Sequence, residues 1–337
     1  MPENGNFVTN ISEKITPEGA KKSRKVEVGD IILSNSMSFG KPYIMGVDGY
    51  IHDGWFVIRE FEKYFDKEYL CQLLVSPFVQ NQYKKLAAGG VVLNISSDLV
   101  NSVKAPIISI AEQKKIAEFL SLVDKRIDKQ RQLVENLKKY KRGLLSAIFE
   151  RKIRFKDDNG NDYPKWKEYK IKDIFNITRG YVLAASELKE KKDDIYKYPV
   201  YSSQTKNEGL MGYYYKPLYK NAITWTTDGA NAGFVKYRNG EFYCTNVCGV
   251  LLNDNKYANT YVAEKLNSVT KRHVSYVGNP KLMNNVMSEI SIDFPSVEEQ
   301  LKLSKIIDNL DSKIAREEVY KANLDKFKLG LLQQMFI

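Results

Sequence analysis

A chain that cuts, transfers or oxidises must hold nucleophiles, proton carriers or metal ligands at usable spacing. This 337-residue sequence holds few. Cys244 and Cys248 have no second cysteine pair, Cys71 stands alone, and His52 and His273 are the two histidines. That set does not make a zinc knuckle, and small buried thiols are the expectation. Gly40-Lys41 runs into Pro42, which breaks any phosphate-cradling loop. Asn279-Pro280 continues as Lys281-Leu282, unlike the Asn-Pro-Pro-aromatic or Asp-Pro-Pro-aromatic run of amino-group methyltransferases. Asp157-Asp158, Asp193-Asp194 and Glu298-Glu299 lie in charged stretches that read as solvated faces or helix starts. No catalytic residue and no metal site is expected.

The sequence does offer groups able to address nucleic acid. Ser202-Ser203-Gln204-Thr205-Lys206 and Trp225-Thr226-Thr227-Asp228-Gly229-Ala230-Asn231 are polar loops between strand-like runs, rich in hydroxyl and amide groups that match base edges. Arg179 beside Gly180, and Lys271-Arg272, could hold phosphates or read guanine. Ser34-Asn35-Ser36 and Lys84-Lys85 are the counterparts earlier in the chain. Ordinary turn chemistry accounts for the same compositions. The DNA-binding candidates are therefore Arg179, Ser202, Ser203, Gln204, Lys206, Thr226, Thr227, Asp228, Asn231, Lys271, Arg272, Ser34, Asn35, Ser36, Lys84 and Lys85. The 22 tyrosines, including Tyr213-Tyr214-Tyr215, fit packing as well as base stacking.

The elements that must position these groups occur twice. Glu112 to Phe149 written over Glu299 to Phe336, an offset of 187 without a gap, matches at 13 of 38 positions, including Gln113/Gln300, Asp124/Asp311 and Gly143-Leu144-Leu145 over Gly330-Leu331-Leu332. The period is too long for a solenoid and marks a duplicated module. Each copy reads as one long helix after a proline, Pro106 or Pro295. Apolar residues alternate by three and four at Ile116, Leu120, Val123, Ile127, Val134, Leu137 and Leu144, and at Leu303, Ile307, Leu310, Ile314, Leu324 and Leu331. That is a heptad seam, with Lys321 opposed to Val134 in the alignment and Gln130 over Glu317 as a polar register position. The alternative is two amphipathic helices buried separately. About 38 residues at about 1.5 Å each make a rod of roughly 57 Å, long enough to hold two domains apart.

Ahead of each helix, Gly29-Asp30-Ile31-Ile32-Leu33 lies over Asn221-Ala222-Ile223-Thr224-Trp225, and short β-rich runs alternate with helical patterns. The expected fold class is α+β: two globular α/β-textured domains separated by two long antiparallel helices in a coiled coil, with an internal pseudo-twofold repeat. The expected boundaries are 1–104, 105–154, 155–294 and 295–337. About 70 residues precede the Ile223 strand in the second module and only about 30 precede the Ile31 strand, so the first module is expected to lack part of its front.

An apolar content of 43% excludes disorder as the main reading, and a net charge of +11 suits a polyanionic partner. The excess lies at 105–154, with +7, and at 155–294, with +4. Few cysteines, no leader-like start and no long apolar stretch point to the cytoplasm and to no membrane.

Pro106 to Ile116 (Pro-x-x-x-x-Ala-Glu-Gln-Lys-Lys-Ile), Pro295 to Gln300 (Pro-Ser-Val-Glu-Glu-Gln), Leu120 to Ile127, Leu310 to Ile314, the closing Lys-x-Gly-Leu-Leu runs at Lys141 and Lys328, and Tyr163-Pro-Lys-Trp-Lys together carry a resemblance. Over nearly the whole chain the sequence resembles the specificity subunit of a type I DNA restriction-modification system. The resemblance implies a subunit without an active site, whose two target-recognition domains each read half of a split target in double-stranded DNA. The paired helices would set the spacer and dock two methyltransferase (modification) subunits, which flip and methylate adenine. Restriction subunits with a motor would join to cleave. The chain itself would bind no cofactor, while S-adenosylmethionine, ATP and Mg2+ would sit on the partners. Two alternatives stay open: a shortened or silent copy that reads one half-site, and a coiled-coil assembly scaffold that binds no DNA. An independent DNA-cutting enzyme is disfavoured by the missing motifs.

Overall fold

The computed structural model describes residues 5–35, 40–86, 97–204 and 206–336. The chain divides into two units, 1–136 with 315–337, and 137–314. Both long helices therefore contribute to both units.

The first unit contains β1 (Phe7–Val8), α1 (Pro17–Lys21), β2 (Arg24–Val26), β3 (Ile31–Ser34), β4 (Pro42–Met45), β5 (Gly49–Ile51), β6 (Trp55–Ile58), α2 (Lys67–Val75), α3 (Pro77–Leu86), α4 (Ser97–Ser102) and most of α5 (Ile110–Phe149). Its main sheet has the order β1-β4-β3-β6, with β1 parallel to β4 and β3 antiparallel to both neighbours. Strand β3 is buried on both faces, and its period of two sorts the side chains. Ile31 and Leu33 join the core under the helices, while Ile32 joins Val26, Tyr43, Met45 and Ile51 on the other face.

The second unit continues with β7 (Lys167–Lys170), α6 (Ile171–Ile174), β8 (Asn176–Arg179), β9 (Tyr198–Tyr201), β10 (Leu210–Tyr214), β11 (Tyr219–Thr226), β12 (Val235–Cys244), β13 (Cys248–Leu252), α7 (Thr260–Thr270), α8 (Asn284–Glu289), β14 (Ser291–Phe294) and the first part of α9 (Val297–Met335). Its sheet order is β10-β9-β12-β11-β13-β8, with β9 parallel to β12 and the other neighbours antiparallel. The central pattern of the first unit recurs here. Ile31 pairs with Ile44 and Ile58, and Ile223, its counterpart in the alignment, pairs with Tyr237 and Leu251. Trp225 lies flat over Gly249, where an added Cβ would fall 2.1 Å from the indole, so that strand position demands glycine.

The two long helices pair antiparallel within each unit. In the first, Gln130 Nε2 donates to the Glu317 carboxylate at 2.6 Å and to the Glu317 carbonyl at 3.1 Å, and Lys328 meets Asp124 at 2.6 Å. In the second, Lys141 meets Asp311 at 2.7 Å and Glu264 at 2.7 Å. Lys141/Lys328 and Asp311/Asp124 are repeat partners, so in each unit the lysine of one helix bridges to the aspartate of the other. Burial works against the Lys141 ammonium, yet the attraction and hydrogen bonds of Glu264 and Asp311 leave its pKa above that of a free lysine. Along the seam Leu120, Ile127, Val134, Leu303, Ile307 and Ile314 are buried, and Ile116, Val123, Leu137, Leu144, Leu310, Leu324 and Leu331 are half-buried. Lys321, the seam mismatch, turns to Asp325 at 2.7 Å.

The repeated Glu-Gln motif has a structural reason. Gln113, fully buried, donates to the carbonyls of Tyr64 and Ile108 and accepts from the backbone of Asp66, the N-cap of α2. Gln300, also fully buried, donates to the Pro295 carbonyl and accepts from the side chain of Asn259, the N-cap of α7. Each glutamine thus ties the start of a long helix to the helix of the preceding domain. The far ends are tied too: Phe336, just past α9, packs on Tyr69 of α2, and Phe149 of α5 packs on Tyr261 of α7. Tyr163-Pro-Lys-Trp has its own anchor, since Glu299, 1% exposed, accepts from Trp166 Nε1 at 3.1 Å and pairs with Arg154 at 2.9 Å.

Candidate nucleic-acid interface

In the second unit, β8, β9 and β11 end at the same edge of the sheet at which β12 turns into β13. Arg179 pairs with Gly249, Tyr201 with Cys244, and Thr226 with Cys248. The segments that leave these strands are stitched together around the turn at 245–247. Thr245 Oγ1 donates to Ser202 Oγ at 3.0 Å, Thr227 N donates to the Val247 carbonyl at 2.9 Å, and Tyr181 N donates to the Cys244 carbonyl at 3.2 Å. One end of the sheet therefore gathers the Arg179 turn, the Ser202–Gln204 loop and the Thr227–Asn231 loop, three of the four segments of this unit expected to touch nucleic acid.

The candidate side chains of the second unit sort by exposure. Arg179, Gln204, Lys206, Lys271 and Arg272 are exposed; Ser202, Ser203, Asp228 and Asn231 are half-buried. Thr226, the last residue of the central strand β11, and Thr227, which follows it and bonds to the Val247 carbonyl, are buried; Thr227 Oγ1 donates to Asp228 Oδ2 at 2.8 Å. Gln204 Nε2 donates to the Leu210 carbonyl, and Ser202 N to the Gly209 carbonyl, which closes the loop. The base of that loop is held by Arg238, a buried guanidinium 3.7 Å above the Tyr201 ring that also donates to Thr224 Oγ1 at 3.0 Å and the Glu208 carbonyl at 2.9 Å. Burial pulls the Arg238 pKa below that of a free arginine, although Tyr201 and Glu208 oppose the change. Asn207 and Glu208 both adopt left-handed backbone, at φ 49° and 52°, a conformation that non-glycine residues hold only when their surroundings impose it.

In the first unit the corresponding end carries Ser34, buried at the end of β3, and Asn35, whose side chain donates to the Asp53 carbonyl at 3.1 Å. Ser36, and Thr205 of the second unit, lie outside the described residues. Lys84 and Lys85 are exposed near the end of α3, whose Gln80 reaches towards the Gly40 carbonyl.

The cysteines are buried and free of disulfides. Burial pushes the Cys248 thiol up to about 11 and the Cys71 thiol up to about 12, and it raises Cys244 as well, so all three are held as neutral thiols at neutral pH. Among the described residues no group of three or more His, Cys, Asp or Glu side chains could hold a metal ion, and no helix is long and apolar enough to cross a membrane. The chemistry available at the sheet end is hydrogen bonding and cation contact.

One part of this surface lies outside the segments expected from the sequence. Ser275 and Lys281 exchange two backbone hydrogen bonds of 2.9 Å, which makes residues 275–281 a hairpin beside the Thr227–Asn231 loop. The signal available was a run from Lys265 to Ser288 without a single Asp or Glu.

The family described as type I restriction modification DNA specificity domain matches residues 3–139 and 163–325. A Mycoplasma pneumoniae protein, named as the N-terminus of a candidate type I specificity subunit, is 42% identical over 145 residues, which is 42% of this chain and 76% of that one. A second M. pneumoniae protein, named as a candidate type I specificity subunit, is 28% identical over 249 residues, 71% of this chain and 89% of the other. The crystal structure of a type I restriction-modification S subunit from M. genitalium aligns over 100% of this chain and 90% of its own, with a TM-score of 0.64 at 18% identity, a likeness of fold.

Proposed function

We propose, for a chain that belongs to the family of type I restriction-modification DNA specificity domains, that it reads a bipartite duplex target and carries that reading to methyltransferase subunits. The observation that carries the proposal is the gathering of the Arg179, Ser202 and Thr227 segments at one sheet end, with exposed cations and amide groups. Phosphate contacts from Arg179, Lys206, Lys271 and Arg272 would fix register, while Ser203, Gln204, Asp228 and Asn231 would address base edges. Asn35, Lys84 and Lys85 are the corresponding groups of the first recognition domain. The recognition domains are residues 1–104 and 155–294, and the spacer helices 105–154 and 295–337.

The helices also supply a reason for two copies of one partner. Leu133 and Tyr140 on α5, and their repeat partners Tyr320 and Phe327 on α9, are exposed at heptad spacing. Equivalent apolar rows on two repeat-related helices suit two identical methyltransferase subunits. S-adenosylmethionine would be bound by those subunits, and ATP and Mg2+ by motor-nuclease subunits that join them.

The test is duplex binding by the chain assembled with its methyltransferase subunits, across a salt series, together with methylation-aware sequencing of DNA from cells that carry the genes. Affinity that falls with salt and a two-part methylated motif are expected. Salt-independent binding, or no motif, refutes the reading and favours an assembly scaffold.

A further inference from the structure

The Ser275–Lys281 hairpin presents an apolar tip on a fixed base. Val277 is 92% exposed and Tyr276 is 68% exposed. The backbone beneath them is anchored at several points. Gly229 N donates to the Pro280 carbonyl at 3.0 Å, Leu282 N to the Thr227 carbonyl at 2.9 Å, and the buried Trp225 indole to the Leu282 carbonyl at 3.0 Å. Val274, at the other foot, is buried against Gly233. A tip so held cannot fold back to hide its apolar side chains. It protrudes beside the Thr227–Asn231 loop.

The charge around the tip selects its partner. From Lys265 to Ser288 there are four Lys or Arg residues and one His, and no carboxylate. Lys271, Arg272 and Lys281 are all exposed. Across the loop, Asp228 lies 3.9 Å from Lys281. Cations that flank an apolar tip complement a surface on which phosphates flank apolar edges. The major groove of duplex DNA has that arrangement, admits a two-stranded β-ribbon, and carries the 5-methyl group of thymine as its apolar feature.

We infer that the Ser275–Lys281 hairpin enters the major groove of one half-site, with Tyr276 and Val277 against a thymine methyl and Lys271 and Arg272 on the flanking phosphates. This rests on the DNA-reading function proposed above and assigns specificity within it to residues that composition alone leaves unmarked. Tyr276 and Val277 are specificity residues; Lys271 and Arg272 hold register.

The experiment uses the full chain assembled with its methyltransferase subunits and the duplex that carries its methylated motif. The variant Tyr276→Ser/Val277→Ser alters exposed side chains only. It should bind the target about tenfold more weakly, with unchanged affinity for random duplex and an unchanged salt slope. Replacement of thymine by uracil at one position of one half-site should cost the parent about fourfold, the worth of a buried methyl, and cost the variant nothing further. Lys271→Ala/Arg272→Ala should weaken target and random duplex alike and reduce the salt slope by about 2. Unchanged target affinity in the Tyr276/Val277 variant overturns the inference, as does indifference to uracil at every thymine. A parent complex without sequence-dependent binding overturns the function itself, and so fails at a different step.

Discussion

Replacement of Gln300 by Leu should loosen the second unit by an amount that can be worked out. The side chain is fully buried, donates to the Pro295 carbonyl at 2.9 Å and accepts from Asn259 Nδ2 at 2.9 Å. Leucine has nearly the same volume but leaves both partners without this bond. Asn259 Nδ2 keeps a second acceptor, the Lys256 carbonyl at 3.0 Å, so the Pro295 carbonyl bears most of the loss. An unsatisfied buried group costs about 1–3 kcal/mol, which gives about 2–3 kcal/mol for the substitution. In a domain of this size that is a fall in Tm of roughly 5–10 °C. Gln113→Leu should cost the first unit more, because three bonds are lost and one of them, from Asp66 N at 2.7 Å, leaves a backbone donor behind. Scanning calorimetry is the assay, since two units can unfold in separate transitions. Each variant should lower only the transition of its own unit. A double-mutant cycle with Asn259→Ala should return a coupling of about 0.5–3 kcal/mol. Transitions that move by less than about 1 °C, or zero coupling, would refute the argument that these glutamines fasten the helices to the domains.

Leu137→Asp and Leu324→Asp each put a charge into the half-buried seam, and each should lower its unit's stability by about 2 kcal/mol in denaturant titrations; unchanged midpoints would mean the seam is not packed. Hydrogen bonds from Arg59 hold the Asp30 carboxyl below the usual carboxylate range, so the folded pKa lies below the unfolded one. That contribution is present above the unfolded carboxylate pKa of about 3.9 and is lost as pH falls through the folded value. Asp30→Asn should therefore flatten the acid limb of the stability profile of the first unit, and a profile parallel to the parent's would contradict the assignment. Exchange of residues 155–291 for those of another subunit should change one half of the methylated motif, and a change in both halves would show that the recognition domains do not read independently.

The same residue pairs that tie each unit together are supplied crosswise by the repeat. Lys328 finds Asp124 in one unit and Lys141 finds Asp311 in the other, with Phe336 on Tyr69 and Phe149 on Tyr261 beside them. Each domain is thus built on the start of the helix that follows it and the end of the helix that follows its counterpart.

The duplication, the seam and its polar position at Gln130 and Glu317 were legible in one dimension, because a helix turns sequence spacing directly into a face and the repeat presents the same spacing twice. Partnership across the fold was not. Gln113 and Gln300 stand out as identical residues, but the groups they hold lie 47 and 41 residues away and meet them only when the sheet and helices close. Thr226 and Thr227 have the composition of a loop, yet Thr226 ends β11 paired with Cys248, Thr227 bonds through its backbone to Val247 and Leu282, and both are buried. The hairpin at Ser275–Lys281 exists because its feet bond to Thr227 and Gly229, some 50 residues earlier. Local periodicity records which side chains face a neighbour; hydrogen bonds between distant segments record which neighbour arrives, and that depends on the whole chain having folded.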